Sequence, residues 1–124
     1  ENKSRQLFEK ILSKSSTEFE AYYNIAMTEP FKQIAYLKQA LALNIMYVDA
    51  WLGLARYELS RDNFAMAQDY LSNAFYIDQN DFRYYYYQGL IYKNKDDMAT
   101  ATMYFRKCLK LNPKCIEAQK ELNL

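Results

Sequence analysis

The chain has 124 residues, enough for one domain, and 51% of them are hydrophobic. Only two Gly and two Pro occur, which excludes an all-β fold with its many turn residues, and the composition excludes a disordered chain. A net charge of +1 excludes a global field that would draw in nucleic acid or an anionic membrane.

Taken in order, Ser4 to Leu12 reads as a lone helix, with Leu7, Phe8, Ile11 and Leu12 at helical spacing. A helix containing Ala21, Tyr22, Tyr23, Ile25 and Ala26 follows, and Pro30 is placed to open the next one, where its missing N–H costs nothing. Leu37, Ala40 and Leu43 mark that next helix. In the following pair, Trp51, Leu54, Ala55 and Glu58 follow i, i+3, i+4, i+7 spacing. Ser60 to Asn63 is turn-prone, and an Asp or Asn there is expected to cap the helix carrying Phe64, Ala67, Leu71, Ala74 and Phe75. Another pair follows from Phe82, with Asp96–Asp97 in the turn as a capping element. Pro113 ends its second helix, because proline cannot continue the hydrogen-bond ladder. Ile116 to Leu124 reads as a first helix that stops early.

These pairs repeat. Sliding the stretch from Val48 onto that from Phe82 by 34 residues brings Trp51 onto Tyr85, Ala55 onto Gly89, Ala67 onto Ala101, Leu71 onto Phe105, Ala74 onto Cys108 and Asp78 onto Asn112. Large meets large and small meets small. The small residues at 55, 67, 89 and 101 are expected to let helix axes approach closely. A shift by the same period toward the N-terminus places Leu37, Ala40 and Asn44 on Leu71, Ala74 and Asp78, with the earlier unit about five residues short around Met27 to Pro30. The segments are therefore 1–16, a second helix of a partial repeat; 19–47, a shortened repeat; 48–81 and 82–115, full repeats; and 116–124, a truncated terminal helix.

This pattern resembles the tetratricopeptide repeat, with its W-x₂-L-G-x₂-Y, A-x₃-F and P positions. The middle unit supplies Trp51, Leu54, Ala55, Ala67 and Leu71; the next supplies Tyr85, Gly89, Tyr92, Ala101, Phe105 and Pro113. The resemblance implies an all-α fold, a right-handed superhelical array of antiparallel helix–turn–helix repeats, or α-solenoid. It also implies a concave face lined by the first helix of each unit, away from the Trp51-type stripe. On this chain that face takes in Tyr23 and Met27; Asp49, Leu52, Arg56 and Leu59; Arg83, Tyr86, Leu90 and Lys93; and Lys120. Such a strip is apolar and aromatic, flanked by charges of both signs, and suits a protein or peptide partner. The Lys/Asn/Arg set with which some members grip a chaperone's C-terminal carboxylate is not reproduced: those places hold Tyr23, Met27, Gly53, Arg83 and Tyr87. In the run Tyr84–Tyr87, helical geometry sends Tyr85 into packing, Tyr86 to the groove and the other two to neighbouring helices.

Catalysis is not expected. The chain has no histidine, which removes the commonest general base and metal ligand, and it has neither a phosphate loop nor a nucleophile motif. No metal or cofactor is called for, since two cysteines without histidine do not make a zinc site. Two cysteines are also too few for a disulfide scaffold, so a reducing, cytoplasmic setting is the simpler assumption. No signal peptide is visible and no apolar run reaches the roughly 20 residues of a membrane span. The start at Glu1 fits an excised or processed piece.

Charge shifts along the chain, from −4 over residues 48–81 to +4 over residues 82–124. The expected function is a scaffold module that holds a short peptide segment in its groove. The alternatives are a structural slice of a longer array that self-associates through its repeat ends, and an assembly helper for a secretion or pilus system.

Overall fold

The computed structural model describes residues 20, 22, 23 and 33–124. The expected helix Ser4–Leu12, the shortened turn around Met27–Pro30 and the groove residue Met27 lie outside the described residues. Among the described residues, six helices run from Gln33 onward: α1 (Gln33–Leu43), α2 (Val48–Ser60), α3 (Phe64–Ile77), α4 (Phe82–Asn94), α5 (Met98–Leu111) and α6 (Ile116–Glu121). Among the same residues there is no strand.

The chain divides into two compact units, Glu1–Leu54 and Ala55–Leu124, and the division falls inside α2. In the first unit, Leu37, Ala40, Ala50, Leu52 and Leu54 are buried. Gly53 lies against Leu37, and a Cβ there would stand 3.1 Å from Leu37 Cδ2. In the second unit, α3 packs on α4, α4 on α5 and α5 on α6. The core of its last part is Ala101, Phe105, Cys108, Cys115 and Ala118, with Tyr85, Tyr86, Leu90 and Tyr92 packed around it.

Burial repeats with the sequence. Leu37, Leu71 and Phe105, each 34 residues apart, are all 0% exposed, and Ala40, Ala74 and Cys108 are buried beside them. Ala67 and Ala101 are buried as well. Gly89 faces the Phe105 ring so closely that a Cβ would overlap it. At Gly89 the small residue therefore does bring two helices together. Leu43 departs from the pattern, being exposed where Ile77 and Leu111 are half-buried.

The turns repeat too, and here the hydrogen bonds explain why. Asn44, Asp78 and Asn112 end α1, α3 and α5, and each side chain accepts the backbone N–H two residues on, at 3.1, 2.9 and 3.3 Å. This is the Asx turn for which short polar side chains are suited. Each following helix then sends a side-chain donor back to the turn. Trp51 Nε1, Tyr85 Oη and Gln119 Nε2 donate to the carbonyls of Ile45, Gln79 and Pro113, at 2.8, 2.7 and 2.7 Å. Every donor reaches back six residues, and the three are 34 apart. They latch a carbonyl group that no helix ladder satisfies.

Helix starts are less uniform. Asp81 caps α4 by accepting Arg83 N–H at 3.0 Å, and Asp97 caps α5 by accepting Thr100 N–H at 3.1 Å. Asn63 occupies the N-cap of α3 but makes no capping hydrogen bond; its amide donates to Glu58 Oε1 at 3.1 Å. The expected side-chain cap is therefore absent there, and the amide nitrogen is held by the buried Glu58 carboxylate instead. Asp62 and Asp96 precede these caps with φ of 59° and 60°, a left-handed conformation that aspartate tolerates better than most residues. α5 ends at Leu111, two residues before Pro113.

Candidate cleft in the second unit

α4 carries the centre of the site. Its Phe82, Arg83, Tyr86, Tyr87 and Leu90 form one wall of a cleft of about 630 Å³. The end of α2 contributes Arg56, Leu59 and Ser60, and the α5–α6 connection closes the third side with Asn112, Lys114, Cys115 and Glu117. A second hollow of about 410 Å³ shares Leu59 and Leu90 and runs on to Phe64, Lys93 and Asp96.

Electrostatics are set by a few pairs. Asp81 accepts three hydrogen bonds from Arg83: the backbone N–H at 3.0 Å, Nε at 2.9 Å and Nη2 at 2.6 Å. Burial pushes the Asp81 carboxyl up, but the hydrogen bonds and the charge of Arg83 outweigh it and hold the group below the usual carboxylate range. Arg83 is thereby fixed in orientation at the cleft wall. Lys93 pairs with Glu121 at 2.7 Å. The Tyr86 phenol is pushed up to about 12, first by burial and then by the Glu121 and Glu117 carboxylates. It stays a neutral hydrogen-bond donor at physiological pH. Arg56 and Lys114 are exposed at the rim.

Of the residues expected on a groove, Arg56, Leu59, Arg83, Tyr86 and Leu90 line the cleft together, and Lys93 lines the adjoining hollow. Lys120 is exposed and lines neither. In the first unit, Tyr23 packs edge-on against Tyr47 at 5.5 Å and Asp49 is half-buried. Leu52 requires correction: at 1% exposed it is a core residue and offers nothing to a ligand. Ala50, Leu54, Ala55 and Glu58 are buried on the same helix. At 3.6 residues per turn these positions and Leu52 cover about 200° of the α2 circumference. A helix buried over that much arc has no free face at position 52.

The run Tyr84–Tyr87 is spread around α4. Tyr85 packs and latches, and Tyr84 meets Phe75 of α3 at 4.8 Å. Tyr87 lines the cleft next to Tyr86. Sequence reasoning missed Phe82, Tyr87 and the α5–α6 residues. The signal for one of them was present: Asp49, Arg83 and Glu117 share a repeat position, and only the first two were carried into the groove.

The sequence profile of the tetratricopeptide repeat family matches residues 82–115, the α4–α5 pair and its flanking turns. The chain therefore carries a tetratricopeptide repeat over residues 82–115. Its fold is the helical-repeat α-solenoid class seen in several solved structures. MamA is similar with a TM-score of 0.74 at 21% identity, over 95% of this chain and 72% of that one. YrrB, described as a TPR protein with an unusual peptide-binding site, has a TM-score of 0.72 at 18% identity, over 97% of this chain and 64% of that one. TTC0263, a thermophilic TPR protein of Thermus thermophilus, has a TM-score of 0.67 at 14% identity, over 97% and 72%. At these identities the likeness is one of fold. No curated protein matches the chain. Among the described residues no helix is long and apolar enough to cross a membrane, and no group of three potential metal ligands occurs.

Proposed function

We propose that the module holds a short segment of a partner protein in the cleft formed by α2, α4 and the α5–α6 connection. The observation that carries this reading is the cleft itself. It has an aromatic and aliphatic lining from Phe82, Tyr86, Tyr87, Leu59 and Leu90, with Arg56 and Lys114 at its rim. Apolar surface and rigid tyrosines supply contact area at small entropic cost, while the hydroxyls and cations fix direction. The peptide-binding site described for YrrB supports the reading by likeness of fold. Self-association through a repeat end is the second reading, favoured by Ile116 at 59% and Leu124 at 81% exposed.

The test is selection of binding peptides from a displayed random library, followed by calorimetric titration. Arg56→Glu and Lys114→Glu are the probes, because both residues are exposed and their loss spares the core. Lys110→Glu, exposed on α5 and outside the cleft, is the control. Affinity is expected to fall about tenfold or more, or 1.4 kcal/mol, with either probe and to hold with the control. Equal affinities for all three variants would refute the cleft as the binding site. Tyr86→Ala is a poorer probe, since Tyr86 also packs on Phe105 at 5.9 Å.

A further inference from the structure

The two cysteines of the chain flank the α5–α6 connection. Cys108 lies in the last turn of α5 and Cys115 is the N-cap of α6. Two backbone hydrogen bonds shape the six residues between them, the first ending α5 and the second closing a turn. Asn112 N–H donates to the Cys108 carbonyl at 2.8 Å, and Cys115 N–H donates to the Asn112 carbonyl at 3.1 Å. As a result, both free thiols enter one buried cluster, beside Ala101, Phe105 and Ala118. The two side chains share that cluster.

Their access differs. Cys108 is fully buried, whereas Cys115 is 6% exposed, forms part of the cleft wall and donates from its thiol to Glu117 Oε1 at 3.7 Å. Nothing in the repeat requires a thiol at either place. The positions equivalent to Cys108 hold Ala40 and Ala74, and those equivalent to Cys115 hold Tyr47 and Asp81.

We propose that Cys108 and Cys115 are a modification site: they form a reversible disulfide by exchange with a small disulfide such as oxidised glutathione, stapling the end of α5 to the start of α6. In the first step the Cys115 thiol gives up its proton and its sulfur attacks one sulfur of the small disulfide. A mixed disulfide forms at Cys115, and the other half departs as a thiolate that takes up a proton. In the second step the Cys108 thiol loses its proton and attacks Cys115 Sγ. The mixed disulfide breaks, and the second leaving thiolate is protonated. Two protein thiols are oxidised and one small disulfide is reduced to two thiols.

Exposure sets this order. Cys115 is the entry point because the cleft reaches it. Burial first, and then the neighbouring Cys115, push the Cys108 thiol up to about 12, so it is a poor entering nucleophile. It acts as the resolving thiol, where proximity replaces acidity. The closed loop contains Asn112 and Lys114, both cleft residues, so oxidation rigidifies one wall of the cleft.

The experiment exposes the folded, reduced chain to oxidised glutathione, quenches with an alkylating agent and measures intact mass. The wild type is expected to lose both free thiols and two hydrogens while remaining a single chain. Cys108→Ala, which installs the residue native to the other two repeats, should stop at a stable glutathione adduct on Cys115. Cys115→Ser, checked for helical content by circular dichroism, should leave Cys108 unmodified over the same interval. Retention of both thiols in the wild type, accumulation of the mixed disulfide there, or disulfide-linked dimers would each overturn the proposal. So would modification of Cys108 in Cys115→Ser at the wild-type rate.

Discussion

Gly89→Ala isolates the close approach on which the second unit is built. In an exposed helix this change stabilises, because glycine is about 1 kcal/mol poorer than alanine in a helix interior. Here the added methyl would sit 2.6 Å from Phe105 Cδ1 and 2.8 Å from Cζ, against an ordinary carbon–carbon separation of about 3.5–4.0 Å. The ring must therefore retreat by roughly 1 Å. It has no open space to enter, being fully buried with the Tyr86 ring 5.9 Å away. Overpacking of this kind costs about 1–3 kcal/mol; less the propensity gain, the net expectation is a loss of about 1–2 kcal/mol. Gly53→Ala is the internal comparison. Its methyl would meet only the flexible end of Leu37, at 3.1 and 3.3 Å, so that change should be neutral or mildly stabilising. The assay is urea unfolding followed by far-ultraviolet circular dichroism, with the slope checked for constancy, because repeat arrays can lose two-state behaviour. Combining Gly89→Ala with Phe105→Leu completes the test: trimming the ring should turn the methyl from harmful to favourable, with a coupling of about 1 kcal/mol or more. A Gly89→Ala protein as stable as the wild type, or a coupling near zero, would refute the packing argument.

Leu52→Ala should destabilise by about 2–5 kcal/mol in the same unfolding assay, because it hollows the core; a stability unchanged within error would return Leu52 to the surface. Asp81→Ala should cost about 0.5–2 kcal/mol by uncapping α4. Because the Asp81 carboxyl is held below its ordinary value, its contribution is full above about pH 4 and is lost as pH falls through the native value. Acid titration by circular dichroism should therefore show a flatter acid limb in Asp81→Asn than in the wild type. At the other extreme, Tyr86 is raised to about 12. Its stabilising share is complete below about pH 10, the unfolded value, and disappears as pH rises toward 12; Tyr86→Phe should flatten that alkaline limb.

The fold was legible because the same constraint is written in the sequence several times. Leu37, Leu71 and Phe105 recur every 34 residues and are all fully buried, so one packing solution is stated three times. The Asx turns at Asn44, Asp78 and Asn112 were visible as matched polar positions, although their hydrogen bonds were not. The latch was hidden because its donor is an indole, a phenol and an amide in turn. These share no residue type, only a reach of six residues and a polar hydrogen, and a comparison by size or hydropathy sees no common property in them.

The site was less legible because a cleft is made by what surrounds a helix face as well as by the face itself. Periodicity ranks residues around one helix axis. It placed Arg83, Tyr86 and Leu90 on one side of α4, and they do line the cleft. It says nothing about how far burial extends around that axis. Leu52, Tyr86 and Lys120 hold one repeat position, yet they are buried, half-buried and exposed in turn. Equivalent register therefore gives equivalent direction without equivalent access. The third wall, apart from Glu117 on α6, comes from a connection, Asn112 to Cys115, in which helical period has no meaning. There the backbone bonds that fold the chain back at Asn112 decide the geometry. The same fold-back that brings Cys115 to Cys108 brings Lys114 and Glu117 to the cleft. A change that opens it, such as replacing Asn112, would alter the thiol pair and the cleft together.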